Sequence, residues 1–308
     1  MNKVTVQADF YSGDLPPRVE AFRKWMVASV PCTPETPVAR AELDALRLPG
    51  MIMKFTNWAR RLVPQRPRTF EFAPGFWDGL TRRQERTVYD LAHRIRRGDN
   101  LTPLLSERAP REGFKPADAG RRKTLWDAKD FALNAWGVHH LHLWDAPRRA
   151  DELLFVMFSR DHGVAIMLGD HKSFDDGRLE NRVAEFRAAT GYMTLKKGVT
   201  ALVTELPSTD RSKLARRAIN SIASADGKVV IGSMLSGDGS STWNFMHMKH
   251  VIQALQNWEP NLGVSGWLAS VTNPPMAVDG SCYRFVGTDL CLVSSDGNMA
   301  AILLPGFL

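Results

Sequence analysis

The chain has 308 residues, enough for about two domains. With 44% apolar and 24% charged residues it has an ordinary globular composition, which excludes a wholly disordered chain, a collagen or a disulfide-dense mini-protein. No run of about 18 apolar residues marks a membrane span, and the opening MNKVTVQADFYSGD lacks the apolar stretch of a secretory leader. The three cysteines, Cys32, Cys282 and Cys291, show no CxxC spacing. These features lead us to expect free thiols, a cytoplasmic location and no membrane partner.

The net charge of +7 is uneven. Residues 1–150 carry 26 basic and 17 acidic side chains, whereas residues 151–308 carry 14 and 16. The excess is densest between Arg60 and Lys129, mostly as arginine: Arg60-Arg61, Arg82-Arg83, Arg96-Arg97 and Arg121-Arg122-Lys123. Guanidinium forks match phosphate oxygens two at a time, so this half suits a nucleic-acid backbone or another polyanion. The competing reading is a set of solvated helix faces.

In chain order, Arg18–Val30, Pro37–Leu48 and Met51–Leu62 read as helices, and the proline-broken segment 63–68 reads as a linker. Thr69–Ala73 alternates as a strand does. Thr81-x-x-Gln84 is a capping box, and Val88, Leu91, Ala92 and Ile95 form a helical stripe that stops at Gly98. After a proline-rich loop comes a second helix, Thr124–Trp136. Three strands follow, Val138–Trp144, Glu152–Phe158 and Val164–Leu168, the last two joined as a hairpin through Gly163. Asp175–Ala189 then reads as a helix. Beyond Gly198 we expect strand Val199–Glu205, helix Asp210–Ile222, strand Lys228–Leu235, helix Thr242–Trp258 and short strands ending in Ala300–Leu304. The expected fold class is α+β: an N-terminal helical region (1–66), a central domain (67–197) and a C-terminal α+β domain (198–308).

The order β-α-α-β-β-β-α over residues 69–189, with VAIMLGDHKSF (164–174) as last strand and TFEFAPGFWDGL (69–80) as opening strand, resembles the RelE/ParE superfamily of small bacterial toxins. The insertion at about 99–123 and the flanking segments depart from those compact proteins. The resemblance implies a RelE-like central domain with an antiparallel sheet. It also implies one of two activities, RNA cleavage without a metal or inhibition of a topoisomerase, and as a toxin a partner antitoxin or other regulatory protein. Fold alone does not choose between them.

Five of eight histidines fall between 139 and 171. Alternation on a strand puts His140 and His142 on one face and His139, Leu141 and Leu143 on the other. His171 follows the third strand, and in a meander it converges on the same end. His162 lies at the hairpin tip, away from them. RNA cleavage needs a base for the 2′-OH, an acid for the leaving 5′-oxygen and cations for the transition-state charge. Imidazoles serve either proton role near neutral pH. The catalytic candidates are therefore His140, His142 and His171, with Lys172, Arg148, Arg160 and Lys129 as phosphate clamps and no cofactor.

A zinc centre built from the histidine pair with His171 and Asp170 is the competing enzyme reading, although no recognised zinc motif is present. Structural histidines are the third. Three further features weigh less. His247 and His250, three apart on a helix, fit packing better than ligation. The loop Ser236-Gly-Asp-Gly-Ser-Ser241 reads as a turn rather than a phosphate cradle, since it lacks a spaced lysine. Trp25, Trp58, Trp77, Trp126 and Trp136 lie among arginines, where core packing competes with base stacking. The function expected is a metal-independent endoribonuclease, a cytoplasmic hydrolase of toxin–antitoxin or phage-defence type with RNA as partner. The alternatives are a non-catalytic nucleic-acid- or protein-binding module and a zinc-dependent hydrolase.

Overall fold

The structure, a computed structural model, describes residues 10, 14–116, 125–144, 151–195, 202, 204–262 and 280–306. In chain order its helices are α1 (Pro17–Ser29), α2 (Pro37–Asp44), α3 (Leu48–Ala59), α4 (Arg82–Arg97), α5 (Arg108–Arg111), α6 (Phe131–Trp136), α7 (Arg178–Thr190), α8 (Ser208–Arg216) and α9 (Thr242–Leu262). Its strands are β1 (Thr69–Phe72), β2 (Val138–His142), β3 (Leu153–Phe158), β4 (His162–Gly169), β5 (Ile222–Ala225), β6 (Lys228–Ile231), β7 (Cys282–Val286), β8 (Asp289–Val293) and β9 (Ala300–Leu304). The chain divides into two compact units, one drawn from 1–60, 111–121 and 243–307, the other from 61–110 and 122–242.

In the first unit the N-terminal helices and the C-terminal elements share one core. Each helix presents a short apolar face: Val19, Phe22 and Met26 on α1, Met51, Ile52 and Phe55 on α3, Val251, Ile252 and Leu255 on α9. These meet Tyr283, Phe285, Leu290 and Leu292 of the antiparallel β7-β8-β9 sheet. The Phe55 and Phe285 rings stack at 4.9 Å. Burying each such side chain contributes roughly 1.5–3 kcal/mol.

In the second unit a four-stranded sheet has the order β1-β4-β3-β2. β2, β3 and β4 form an antiparallel meander, with His142 opposite Leu153 and Leu153 opposite Gly169. β1 joins the outer side of β4 in parallel. On one face Val88, Leu91, Ala92 and Ile95 of α4 pack with Phe70, Leu141, Leu154, Val156 and Ala165. On the other, α6 and α7 bury Val138, Leu153, Phe155, Ile166 and Met167. The continuous apolar run of β3, LLFVMF, is that of a strand covered on both faces. The β5–β6 hairpin packs Ala223 and Val230 on Ala184 and Ala188 of α7. Arg187 of α7 is buried and donates to the carbonyls of Ile231, Gly232 and Trp136 at 2.5, 2.7 and 3.0 Å. Burial lowers its pKa to about 10.

The α+β class is present as expected, and over 69–190 the order is β1-α4-α5-α6-β2-β3-β4-α7, with the short helix α5 added to the expected pair. Four expectations change. The sheet is mixed rather than antiparallel, because β1 runs parallel to β4. The helix expected from Thr124 begins at Phe131: Asp130 caps it by accepting from the Leu133 amide, and Ala128 takes a positive φ of 55°. The helix expected to run to Ile222 ends at Arg216, and Ala218 (φ 56°) turns the chain into β5. The expected C-terminal domain is not one body, since 198–242 clusters with the central sheet and 243–307 with the N-terminal helices. The physical reason is shared burial: β7 supplies Tyr283 and Phe285 to the face of α1. The expected strand over 199–205 falls mostly outside the described residues. Segment 63–68, expected as a linker, lies inside the second unit, which begins at Arg61, and its Val63 and Arg68 are buried.

Candidate functional site

One end of the second unit's sheet gathers the C-terminus of β2, the N-terminus of β3 and the C-terminus of β4. There His142 closes β2, and His171 begins a single tight helical turn, His171–Phe174, just beyond β4. That turn is fixed locally. The Asp170 side chain accepts from the Ser173 amide at 3.1 Å while Ser173 Oγ accepts from the Asp170 amide at 3.1 Å, a reciprocal cap. Gly169 is required just before it, because a methyl there would sit 2.6 Å from Ser173 Oγ.

The rings of His142 and His171 lie with centroids 5.9 Å apart, tilted by 45°. His142 is 8% exposed, whereas the side chain of His171 is 54% exposed. His171 Nδ1–H donates to Asp151 Oδ1, leaving Nε2 as the nitrogen of that ring available for chemistry. A carboxylate on one nitrogen of a histidine sets the tautomer and orients the ring, as in acid–base sites generally.

His140 has a different environment. Its Nδ1 lies 3.5 Å from Asp130 Oδ2, at the cap of α6, and its ring meets Phe174 edge-on at 5.2 Å. The sheet face that carries His140 is covered by α6, α7 and the 171–174 turn, so His140 is half-buried and set apart from the His142–His171 pair by Phe174. His139 lies on the opposite face, edge-on to Phe158. His162 is at the far end of β4, bonded to Thr69 Oγ1 at 2.7 Å.

The expected phosphate clamps separate in the same way. Lys172 is exposed beside His171. Arg160 lies in the β3–β4 turn, at the opposite end of an eight-residue strand, about 25 Å away along the sheet. Lys129 Nζ donates to the Asp238 carbonyl and lies 3.5 Å from its carboxylate. Arg148 lies outside the described residues. Asp238, which half-burial would raise, is held well below the usual carboxylate range by bonds from Ser236 and Ser240 and by Lys129. The Ser236–Ser241 loop is thus a turn closed on its own aspartate.

The arginine runs also divide. Arg60 and Arg61 are buried, with Arg60 Nη1 donating to Asn244 Oδ1 at 2.8 Å, and Arg121–Lys123 lie outside the described residues. The two pairs on α4 face outward, with Arg82, Arg83, Arg96 and Arg97 exposed together with Arg86. The start of α4 reaches the His142–His171 end: Gln84 Nε2 donates to Glu152 Oε1 at 2.6 Å, and Arg83 lies over the Trp144 ring at 5.0 Å.

Around His171 the acidic groups are paired, Asp170 and Asp176 with Arg178 at 2.9 and 2.6 Å. Asp170 is thereby engaged as a cap and an ion pair. Among the described residues no three His, Cys, Asp or Glu side chains gather as metal ligands would. Sequence reasoning missed Asp151, whose meeting with His171 depends on the β3–β4 register, and it missed Arg178. No family model matches this chain, and no curated protein or solved structure is found to be similar to it. Among the described residues no helix is long and apolar enough to cross a membrane.

Proposed function

We propose that the protein is a metal-independent endoribonuclease of the RelE-like toxin or phage-defence type, with His142 and His171 as its acid–base pair. The observation that carries this reading is the approach of the two imidazoles, 5.9 Å between centroids, with His171 held by Asp151 and open to solvent. One imidazole takes the proton of a ribose 2′-OH, the 2′-oxygen attacks phosphorus, the P–O5′ bond breaks, and the other imidazole protonates O5′. The products are a 2′,3′-cyclic phosphate and a 5′-hydroxyl. Lys172, the residue after His171 and exposed in the same turn, supplies a cation for the developing phosphorane charge. Asp151 acts through His171 as a positioning residue, and His140 packs beneath the site.

The test is cleavage of RNA by the purified chain. Wild type is expected to leave 2′,3′-cyclic termini and to spare a substrate with 2′-deoxyribose at the cleaved step. His171→Ala and His142→Gln are expected to be slower by about 10²–10⁴-fold each. Equal cleavage by wild type and both variants would remove the reading. The exposed arginines of α4 favour a second reading, a nucleic-acid-binding module without catalysis. It predicts salt-sensitive binding and no product at any pH.

A further inference from the structure

The outward face of α4 is unusual for a solvated helix. Its buried side is Val88, Leu91, Ala92 and Ile95. Opposite them, at spacings of four, three, four and four, stand Arg82, Arg86, Tyr89, His93 and Arg97. The helix carries six arginines against Glu85 and Asp90. Arg97 is bonded to Asp99 and Arg96 to the Phe70 carbonyl. Arg82 and Arg86 make no hydrogen bond or ion pair among the described residues, although Asp90 lies one turn beyond Arg86.

Between these cations stands an aromatic stack. Tyr89 is 49% exposed and lies against Trp77 at 4.6 Å and 18°, which in turn meets Phe72 at 4.5 Å. Trp144, under Arg83, extends the aromatic surface toward the His142 end. A large ring left half in water beside free guanidinium groups is what unpaired bases and their phosphates require: a face to stack on and forks to grip oxygens.

We infer that the Arg82–Arg86–Tyr89 face of α4 is a docking track for single-stranded RNA, with a base stacked on Tyr89 and phosphates held by Arg82 and Arg86. The two arginines are one turn apart, about 6 Å along the axis, so each engages its own phosphate. Stacking requires an unpaired base, which selects a single strand over a duplex. The choice of RNA over other single strands rests on the ribonuclease reading; the track itself does not.

The test uses the full chain and a short single-stranded RNA carrying 2′-O-methyl groups, which is bound but not cut because the nucleophile is blocked. Anisotropy titrations across a range of salt compare wild type with Arg82→Ala/Arg86→Ala, Tyr89→Ala and Tyr89→Phe. These side chains are exposed, and circular dichroism checks that α4 persists. The double arginine variant is expected to bind tenfold or more weaker, with a log–log salt slope shallower by about 1.4, two contacts at about 0.7 each. Tyr89→Ala is expected to weaken binding by about tenfold, while Tyr89→Phe keeps the stacking surface and stays within about twofold.

Wild-type affinity in the double arginine variant overturns the proposal. So does unchanged RNA binding accompanied by lost binding to phosphatidylserine vesicles, which would assign the face to a membrane surface. RNA binding that needs α4 in a chain that cuts nothing leaves the track standing and removes the ribonuclease reading. Histidine-dependent cleavage with RNA affinity indifferent to α4 does the reverse.

Discussion

The most quantitative consequence of the structure is acid sensitivity centred on His247. This side chain is 2% exposed on α9, with its ring 6.1 Å from that of Phe285. Burial lowers its pKa from 6.5 to about 4, helped by the neighbouring Arg60 charge and opposed by a bond with the Thr288 backbone. Between pH 6.5 and 4 the unfolded chain holds the proton and the folded chain does not, so stability rises with pH in that window. The contribution is fully present above pH 6.5 and is lost as pH falls through the folded value near 4. At about 1.4 kcal/mol per pH unit, the loss between pH 7 and pH 4 is about 3 kcal/mol. His247→Gln keeps a hydrogen-bonding amide and removes the titration. Urea unfolding at a series of pH values is therefore expected to show wild type losing about 3 kcal/mol more than His247→Gln on acidification. Parallel curves for the two proteins, or an NMR titration placing the folded His247 near its ordinary value, would refute the argument.

Two further outcomes concern the frame that holds the 171–174 turn. Arg211 and Glu180, both under 5% exposed, form a two-pronged ion pair at 2.7 and 2.8 Å. Glu180→Ala strands the guanidinium and is expected to cost about 3–5 kcal/mol in denaturant unfolding, with most of it recovered in Glu180→Leu/Arg211→Met; strictly additive losses would show that the charges are not coupled. Gly169→Ala places a methyl against Ser173 Oγ, and the expected cost is about 1–3 kcal/mol together with a fall in RNA cleavage, whereas an unchanged melting temperature would mean that the turn relaxes freely.

What could be read from the sequence was local. α4 declares itself through the Thr81–Gln84 box, a stripe of four apolar residues and Gly98, whose φ of 78° suits glycine and where a side chain would strike the Arg66–Pro67 backbone. The meander is legible for a similar reason, in three short apolar runs separated by turn residues. The β5–β6 hairpin carries a signal of its own in Asp226-Gly227, whose φ values of 48° and 67° are those of a tight hairpin turn, but the helix expected to run to Ile222 took the place of its first strand. Long-range facts had no such reporters. Asp151 meets His171 only because Leu153 registers with Gly169. The burial of Arg60 and Arg61 runs against everything charge counting implies, and the pairing of α1 with β7 joins residues more than 250 positions apart.

The electrostatics of the site bear on how the proposed ribonuclease divides its labour. Around His171 each carboxylate in the turn or bonded to the ring has a cationic or imidazole partner: Asp151 has His171, and Asp170 has Arg178. Lys172 is the one exposed cation within that turn. Such a surrounding orients an imidazole well and attracts a polyanion poorly, because counterion release grows with the number of phosphates neutralised. Arginines placed directly among the histidines would add affinity but would also penalise the protonated imidazole that the acid step needs. Placing them on α4, whose N-terminal turn reaches the same sheet end through Gln84–Glu152 and Arg83–Trp144, avoids that conflict. A separation of gripping from proton transfer is therefore the arrangement that the charge distribution of this unit favours.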